Sequence, residues 1–400
     1  MEKLPVPHPS FFIPAVQAGK IRQLSGEAER SGRLHPEQLA IIYEQRWFSL
    51  FVPRTYGGLE LSLPEGLRIE EGLAWADGST GWTVTLCSGA NWFIGFLSPA
   101  ITRELFSDQR VCFAGSGRPS GTARVMASGY EVTGRWSYAT GAPHATAFTA
   151  NCLLEKDGAI LTNEDGSPMV RAFIFLKDEL IVQEDWNCMG MIATASHSFE
   201  VSRQSIPANR CFTVDGNHSF LSQPIYQYPF LQLAETTLAV NSSGMAARFI
   251  DLCEEIFAER SASASSPNAG LGSARNAGSS SAGNAGSASS GNAPGMKKAV
   301  DLLRNAKARF QALRDSFYAA VEISWEEHLK KISSDPSLSD YASLEAVSKS
   351  SRRLAAEARH LVDELYPWCG LTAANPGTEI NRVWRNLHTA CQHSLLTSRD

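Results

Sequence analysis

Apolar positions in the first third of the chain recur at helical spacing. Val16, Ile21 and Leu24 precede a polar stretch over residues 25–33, and Leu39, Ile41, Ile42 and Tyr43 follow His35-Pro36. Pro36 suits a first helical position, because its missing N–H would have no partner there. Phe51-Val52-Pro53 reads as an extended break and Tyr56-Gly57-Gly58 as a turn. Helical spacing returns through Leu67, Glu70 and Leu73, and again after Asp77 with Trp82, Val84 and Leu86. Beyond residue 108 the pattern changes. Residues 111–114, 122–126, 147–154, 170–176, 180–183 and 198–201 predict short strands, with polar turns at Lys156-Asp157-Gly158 and Asn163-Glu164-Asp165-Gly166. Tyr130, Val132 and Thr133 add another strand, with Gly134 read as a turn ahead of Trp136. From Pro229 the helical period resumes, ending in two long helices over residues 344–365 and 379–396. The switch from helical period to strands and back predicts an α+β chain: a helical domain over residues 1–108, a β-barrel-like domain over 109–226 and a helical domain over 227–400.

Residues 261–295 interrupt the last domain. They are Ser, Ala, Gly and Asn with almost no large apolar side chain, so they have little to bury against the entropy of ordering and are expected to form a flexible, dispensable linker. The chain as a whole, 400 residues and 43% hydrophobic, is long enough for two or three domains with real cores. A net charge of −5 without a basic stripe argues against a nucleic-acid partner. The first residues lack a charged-then-apolar signal pattern, and no apolar run reaches membrane-spanning length. The eight cysteines are scattered without a Cys-x-x-Cys pair, which points away from a metal site and toward a reducing, cytoplasmic location.

The stretch with most candidate chemistry is GYEVTGRWSYATGAPHATAF, residues 129–148. Trp136, Ser137, Thr140 and Gly141 combine an indole, two hydroxyls and a residue without a side chain. Such a set suits a flat heteroaromatic ligand, which needs stacking, short polar contacts and close backbone approach. Taken alone, the same residues also suit an ordinary hairpin with a core tryptophan. The Gly115–Gly121 segment, a loop by composition, has the glycines of a phosphate-binding loop but leads into a strand, so no helix N-terminus would face a phosphate.

The Gly-x-Trp-x-x-x-Thr-Gly pattern at residues 134–141 resembles the flavin-contacting turn of the acyl-CoA dehydrogenase superfamily, and most closely its two-component, reduced-flavin-dependent monooxygenase branch. Val52-Pro53-Arg54-Thr55-Tyr56-Gly57-Gly58, Asp77-Gly78-Ser79-Thr80-Gly81-Trp82 and Asn381-Arg382-Val383-Trp384-Arg385-Asn386-Leu387-His388 fit the same family in order. The resemblance implies an N-terminal helical domain, a middle β-barrel and a C-terminal four-helix bundle, assembled as a homotetramer. It implies reduced FMN or FAD, loosely held, delivered by a separate flavin reductase, with molecular oxygen and a small aromatic or polycyclic substrate hydroxylated through a flavin peroxide. It places Trp136, Ser137, Thr140 and Gly141 on the flavin, with Thr140 at the ring's N5. Thr194 and Ser196 would lie along the ring or its ribityl chain, and Asn91, Trp92 and Ser116 would line the substrate pocket. No metal is expected.

The resemblance also makes His393 the catalytic candidate, because in the monooxygenase branch a histidine at this distance after the Trp-Arg pair lies beside the reactive edge of the flavin; taken alone, it also suits a solvent-facing residue near a helix end. On a helix over residues 379–396 it would share a polar face with Arg382, Arg385 or Asn386, and Thr389, opposite an apolar stripe. An imidazole there can hold or deliver a proton near neutral pH. Two departures from the family pattern stand out: Asn386 replaces the usual Asp, and Ser88-Gly89-Ala90-Asn91-Trp92 lies where several relatives place a histidine. Two alternatives stay open, a non-catalytic flavin-binding relative and an acyl-CoA dehydrogenase. The latter needs a carboxylate base, for which Glu235 is the nearest candidate.

Overall fold

The computed structural model describes residues 4–108, 110–265, 293–334 and 342–397. The N-terminal helices are α1 (Ala15–Ser31), α2 (Pro36–Glu44), α3 (Leu63–Ala76), α4 (Gly78–Asn91) and α5 (Pro99–Leu105). Their starts are written in the sequence. Ser62 begins α3 with its N–H donated to Glu65 Oε2 at 2.9 Å, and Asp77 Oδ2 caps α4 by accepting from the Thr80 N–H at 2.8 Å. Each cap satisfies backbone donors that the first helical turn leaves unpaired.

The middle of the chain forms β1 (Phe113–Met126), β2 (Gly129–Ala139), β3 (Ala147–Lys156), β4 (Ala159–Ile160), β5 (Val170–Leu176), β6 (Ile181–Gln183), β7 (His197–Ile206) and β8 (Cys211–Phe212). They make one sheet in the order β6-β7-β2-β1-β3-β5-β8, with β4 on β3; only β1 and β3 run parallel. The edge strands β6 and β8 do not pair with each other among the described residues, so the sheet is open rather than a closed barrel. Two further expectations change. Residues 115–121 are strand, not loop: β1 is continuous, and the Gly, Pro and Ser positions mark a register shift against β3 between Ser116 and Gly121. Gly134 likewise lies within β2 and pairs with Gly121. A Cβ at Gly134 would stand 2.6 Å from both the Gly121 Cα and the Trp136 ring, so these two glycines clear the space the indole fills.

The C-terminal helices are α6 (Phe230–Ser265), α7 (Ala293–Ser334), α8 (Ala342–Leu365), the short α9 (Leu371–Ala374) and α10 (Glu379–Ala390). α6 packs against α3, α8 and α10, and so joins the two helical regions. Of the segment read as linker, residues 266–292 lie outside the described residues, while 261–265 and 293–295 are helical. Once a helix is nucleated, each added residue gains a hydrogen bond, so the flanks continue α6 and α7 whatever their composition.

One buried ion pair fixes this arrangement. Arg314 on α7 donates from Nε and Nη2 to the two Glu71 oxygens at 2.8 Å each. Tyr318 and Ser243 also donate to that carboxylate, and Arg314 Nη2 holds the Pro7 carbonyl. Both charges are essentially inaccessible, and the fork-on-carboxylate geometry with extra donors is what makes such a pair tolerable.

A candidate flavin site

The chain of β2 does not stay regular to its end. Pairing with β7 shifts between Trp136 and Ala139, and Tyr138 takes a left-handed conformation (φ 69°). This bulge re-aims the end of the strand: Tyr138 points out to solvent while Ala139, Thr140 and Gly141 are buried. Facing them is the loop before β7, which holds two further left-handed non-glycine residues, Met191 (φ 55°) and Ala195 (φ 45°). Such a conformation costs about 1–2 kcal/mol per residue and persists only where the surroundings fix it. They do so here. Gly141 N–H donates to the Thr194 carbonyl at 2.9 Å, Trp186 Nε1 to the Met191 carbonyl at 2.9 Å, and Met191 N–H to Asn386 Oδ1 of α10 at 2.7 Å.

Inside this frame three hydroxyls form a chain. Thr140 Oγ1 lies 2.9 Å from Ser196 Oγ, which lies 2.7 Å from Thr194 Oγ1. Its direction is set by its end. Thr194 donates to the Met191 carbonyl at 2.7 Å, so it accepts from Ser196, and Ser196 in turn accepts from Thr140. A hydroxyl has one hydrogen and two lone pairs, so the Thr140 oxygen is left as an acceptor. The structure thus brings together Thr140, Gly141, Thr194 and Ser196.

The other sequence candidates fare differently. Trp136 is fully buried; it stacks on Phe199 at 5.2 Å and donates to the Asn151 carbonyl, so it fills the sheet core and supports the turn rather than offering a face to a ligand. Residue 136 falls on the inward face of β2, ahead of the bulge at Tyr138, which is why the core reading prevails for it. Ser137 points outward and meets Ser198 Oγ at 3.3 Å. Asn91 is not a pocket residue. It is fully buried, donates to the Phe48 and Val111 carbonyls and accepts from the Phe113 N–H, clasping α4 to β1. Trp92 donates to the Ile225 carbonyl and lines a cleft of about 350 Å³ with Phe96, Tyr226, Phe230 and His328. It stands ten residues beyond Trp82, about 15 Å farther along the α4 direction. Ser116 is half-buried on β1, outside the hydroxyl chain.

His393 lies in a turn beyond α10, which ends at Ala390, and not on the helix expected over residues 379–396. Its ring meets the buried Trp82 of α4 edge-on at 6.1 Å, a partner that sequence reasoning missed. Nδ1 accepts from the Leu395 N–H at 3.3 Å, which leaves the proton on Nε2. Burial holds the imidazole below its ordinary pKa, so it is neutral. Asn386, the departure from the family pattern, performs the acceptor role toward Met191 without any charge. Arg385 beside it donates to the Met189 carbonyl at 2.7 Å and pairs with Glu29 of α1.

Residues 297–398 match the family model described as the acyl-CoA dehydrogenase, C-terminal domain. Over 96% of this chain the structure resembles a 3-HSA hydroxylase from Rhodococcus sp. RHA1, with a TM-score of 0.81, 20% identity and 92% of that chain covered. The fold is acyl-CoA dehydrogenase-like. Two relatives align along nearly all of its length. An indole-3-acetate monooxygenase of Pseudomonas putida is 24% identical over 93% of this chain and 86% of its own. A flavin-dependent monooxygenase, oxygenase subunit HsaA, of Rhodococcus jostii is 22% identical over 94% and 91%. In this acyl-CoA dehydrogenase-like frame, Glu235 of α6 is buried; its Oε1 accepts from Arg352 Nη1 of α8 at 2.7 Å, and its Oε2 has no partner among the described residues. No described helix is long and apolar enough to cross a membrane.

Proposed function

We propose that this chain is the oxygenase component of a two-component flavin-dependent monooxygenase that hydroxylates a small aromatic substrate. The observation that carries the reading is the direction of the hydroxyl chain. With its own hydrogen committed to Ser196, Thr140 offers a lone pair, the partner required by the N–H at N5 of a reduced flavin and not by the bare N5 of an oxidised one. The names of the two relatives support the same class.

The residues fit a flavin on this account. Thr140 and Gly141 would meet the ring edge, and Thr194 and Ser196 would hold Thr140 in its accepting orientation. Trp136 stiffens the turn from behind. Reduced FMN or FAD supplies the electrons that activate dioxygen when bound, brought by a separate reductase. His393, with its proton on Nε2, is a donor in a half-buried setting, where a hydrogen bond is worth more than in bulk water. Trp82 fixes the plane of that ring. We further propose a homotetramer and a cytoplasmic location; eight free cysteines agree with the latter.

The test is anaerobic titration with reduced FMN and reduced FAD, followed by mixing with oxygen and a panel of aromatic compounds, reading product against hydrogen peroxide. His393→Ala should keep flavin affinity while diverting electrons to peroxide. Unchanged coupling in His393→Ala, together with acyl-thioester oxidation abolished by Glu235→Gln, would overturn the proposal.

A further inference from the structure

Directly behind the Thr140–Gly141 turn lie three side chains that the reaction does not use. Cys87 comes from α4, Cys112 from the residue before β1, and His144 from the short helical turn Ala142–His144. Their Sγ, Sγ and imidazole nitrogen atoms all lie within 4.8 Å of one another. Both cysteines are fully buried, and none of the eight cysteines in the chain is paired in a disulfide.

Three observations distinguish the cluster from ordinary core packing. His144 Nε2 is shielded from solvent and, among the described residues, meets the Cys87 thiol but no oxygen or nitrogen partner, where a buried ring nitrogen ordinarily has one. The space between the groups is kept clear by Gly141: a Cβ there would stand 2.8 Å from Cys87 Sγ and 2.9 Å from His144 Nε2. With φ at 78°, position 141 favours glycine on backbone grounds as well. Finally, each residue is held by its own backbone. The His144 N–H donates to the Gly141 carbonyl, and Cys112 exchanges hydrogen bonds with the Thr146 hydroxyl. Phe48 stacks on the His144 ring at 5.5 Å and closes the cluster on that side.

We propose that Cys87, Cys112 and His144 bind a thiophilic metal ion, zinc(II) by donor set, between the N-terminal helices and the flavin turn. Two sulfurs and one imidazole nitrogen form the set that zinc takes in tetrahedral sites, at about 2.3 Å to sulfur and 2.0–2.1 Å to nitrogen. Ligand atoms so bound are separated by about 3.5–4 Å, so the cluster needs to contract by only a fraction of its present spread. The Thr140 carbonyl, 3.5 Å from Cys87 Sγ, borders the fourth position. On binding, two thiol protons leave to solvent and His144 donates its Nε2 lone pair; no oxidation is involved. The ion would fasten α4 and the start of β1 to the turn that bears Thr140. That placement rests on the flavin reading of the turn, but metal binding itself does not.

The experiment uses the full chain purified without chelator. Elemental analysis should find stoichiometric zinc, and copper would register in the same measurement. Replacement by cobalt(II) should give the intense near-ultraviolet thiolate-to-metal absorption that only sulfur ligation produces. Cys87→Ser and Cys112→Ser should lose the metal and that band, whereas Cys188→Ser, at a half-buried position outside the cluster, should lose neither. The cobalt spectrum of the unmutated chain keeps the test decisive if a variant fails to fold. Wild-type protein that takes up no thiophilic metal after dialysis against zinc would overturn the proposal. A Cys87–Cys112 disulfide in the native protein, found by mass spectrometry, would do the same. Both outcomes are independent of flavin binding and turnover.

Discussion

Glu70 sets a measurable dependence of stability on pH. It is fully buried on α3, where Ser88 Oγ reaches one oxygen at 3.3 Å and the other has no partner among the described residues. No cation lies among the groups acting on it. Burial therefore dominates and pushes its pKa up from 4.5 to about 8, against weaker opposing hydrogen bonds from Ser88 and Thr85. Between those two values the folded chain keeps a proton that the unfolded chain has released, so stability is fully present below about pH 4.5 and is lost as pH rises toward 8. Three and a half pH units at about 1.4 kcal/mol each amount to about 5 kcal/mol. Glu70→Gln mimics the neutral acid and removes the titration. Thermal melts of both proteins across about pH 5–9 should coincide at the acid end and diverge with pH. The variant should lead by roughly 5–10 °C at the alkaline end. A gap that does not change with pH, or a wild type that gains on the variant as pH rises, would refute the reasoning.

Asn386→Ala should leave the buried Met191 N–H without its acceptor and free the strained loop that carries Thr194 and Ser196. The cost of about 1–3 kcal/mol should appear as a roughly 5- to 150-fold loss of reduced-flavin affinity in anaerobic titration, while Asn386→Asp, which keeps the acceptor oxygen, should lose less. Arg314→Met should strand the Glu71 carboxylate in the interior. A loss of about 3–5 kcal/mol should show in equilibrium unfolding and exceed that of the double variant Glu71→Met/Arg314→Met. Gly134→Ala should drive a methyl into the Gly121 backbone and the Trp136 ring and cost about 1–3 kcal/mol, read as a lower melting temperature with weaker flavin binding.

Much of this protein was legible in its residues because the relevant physics is local. Helix starts are marked by Pro36 and Asp77, and the β-rich middle by short strands with polar turns, so the α+β order needed no tertiary information. Thr140, Gly141, Thr194 and Ser196 were singled out through a family pattern; the three hydroxyls meet in one hydrogen-bonded chain, and the Gly141 N–H donates to the Thr194 carbonyl. Other assignments depended on which way a side chain points, and periodicity cannot fix that once a strand is bulged. The shift at Tyr138 turns Thr140 inward, while the regular run before it sends Trp136 into the core, so two neighbours in one motif take different roles. Asn91 looked like a pocket residue and is a clasp, because its partners Phe48, Val111 and Phe113 are distant in sequence. Trp82 against His393, and Asn386 against Met191, likewise join segments that spacing alone does not relate. The cysteines make the point most sharply. Cys87, Cys112 and His144, 25 and 32 residues apart, meet only in space. Ligand geometry is a property of distances, and only the packing of α4 on the sheet sets those.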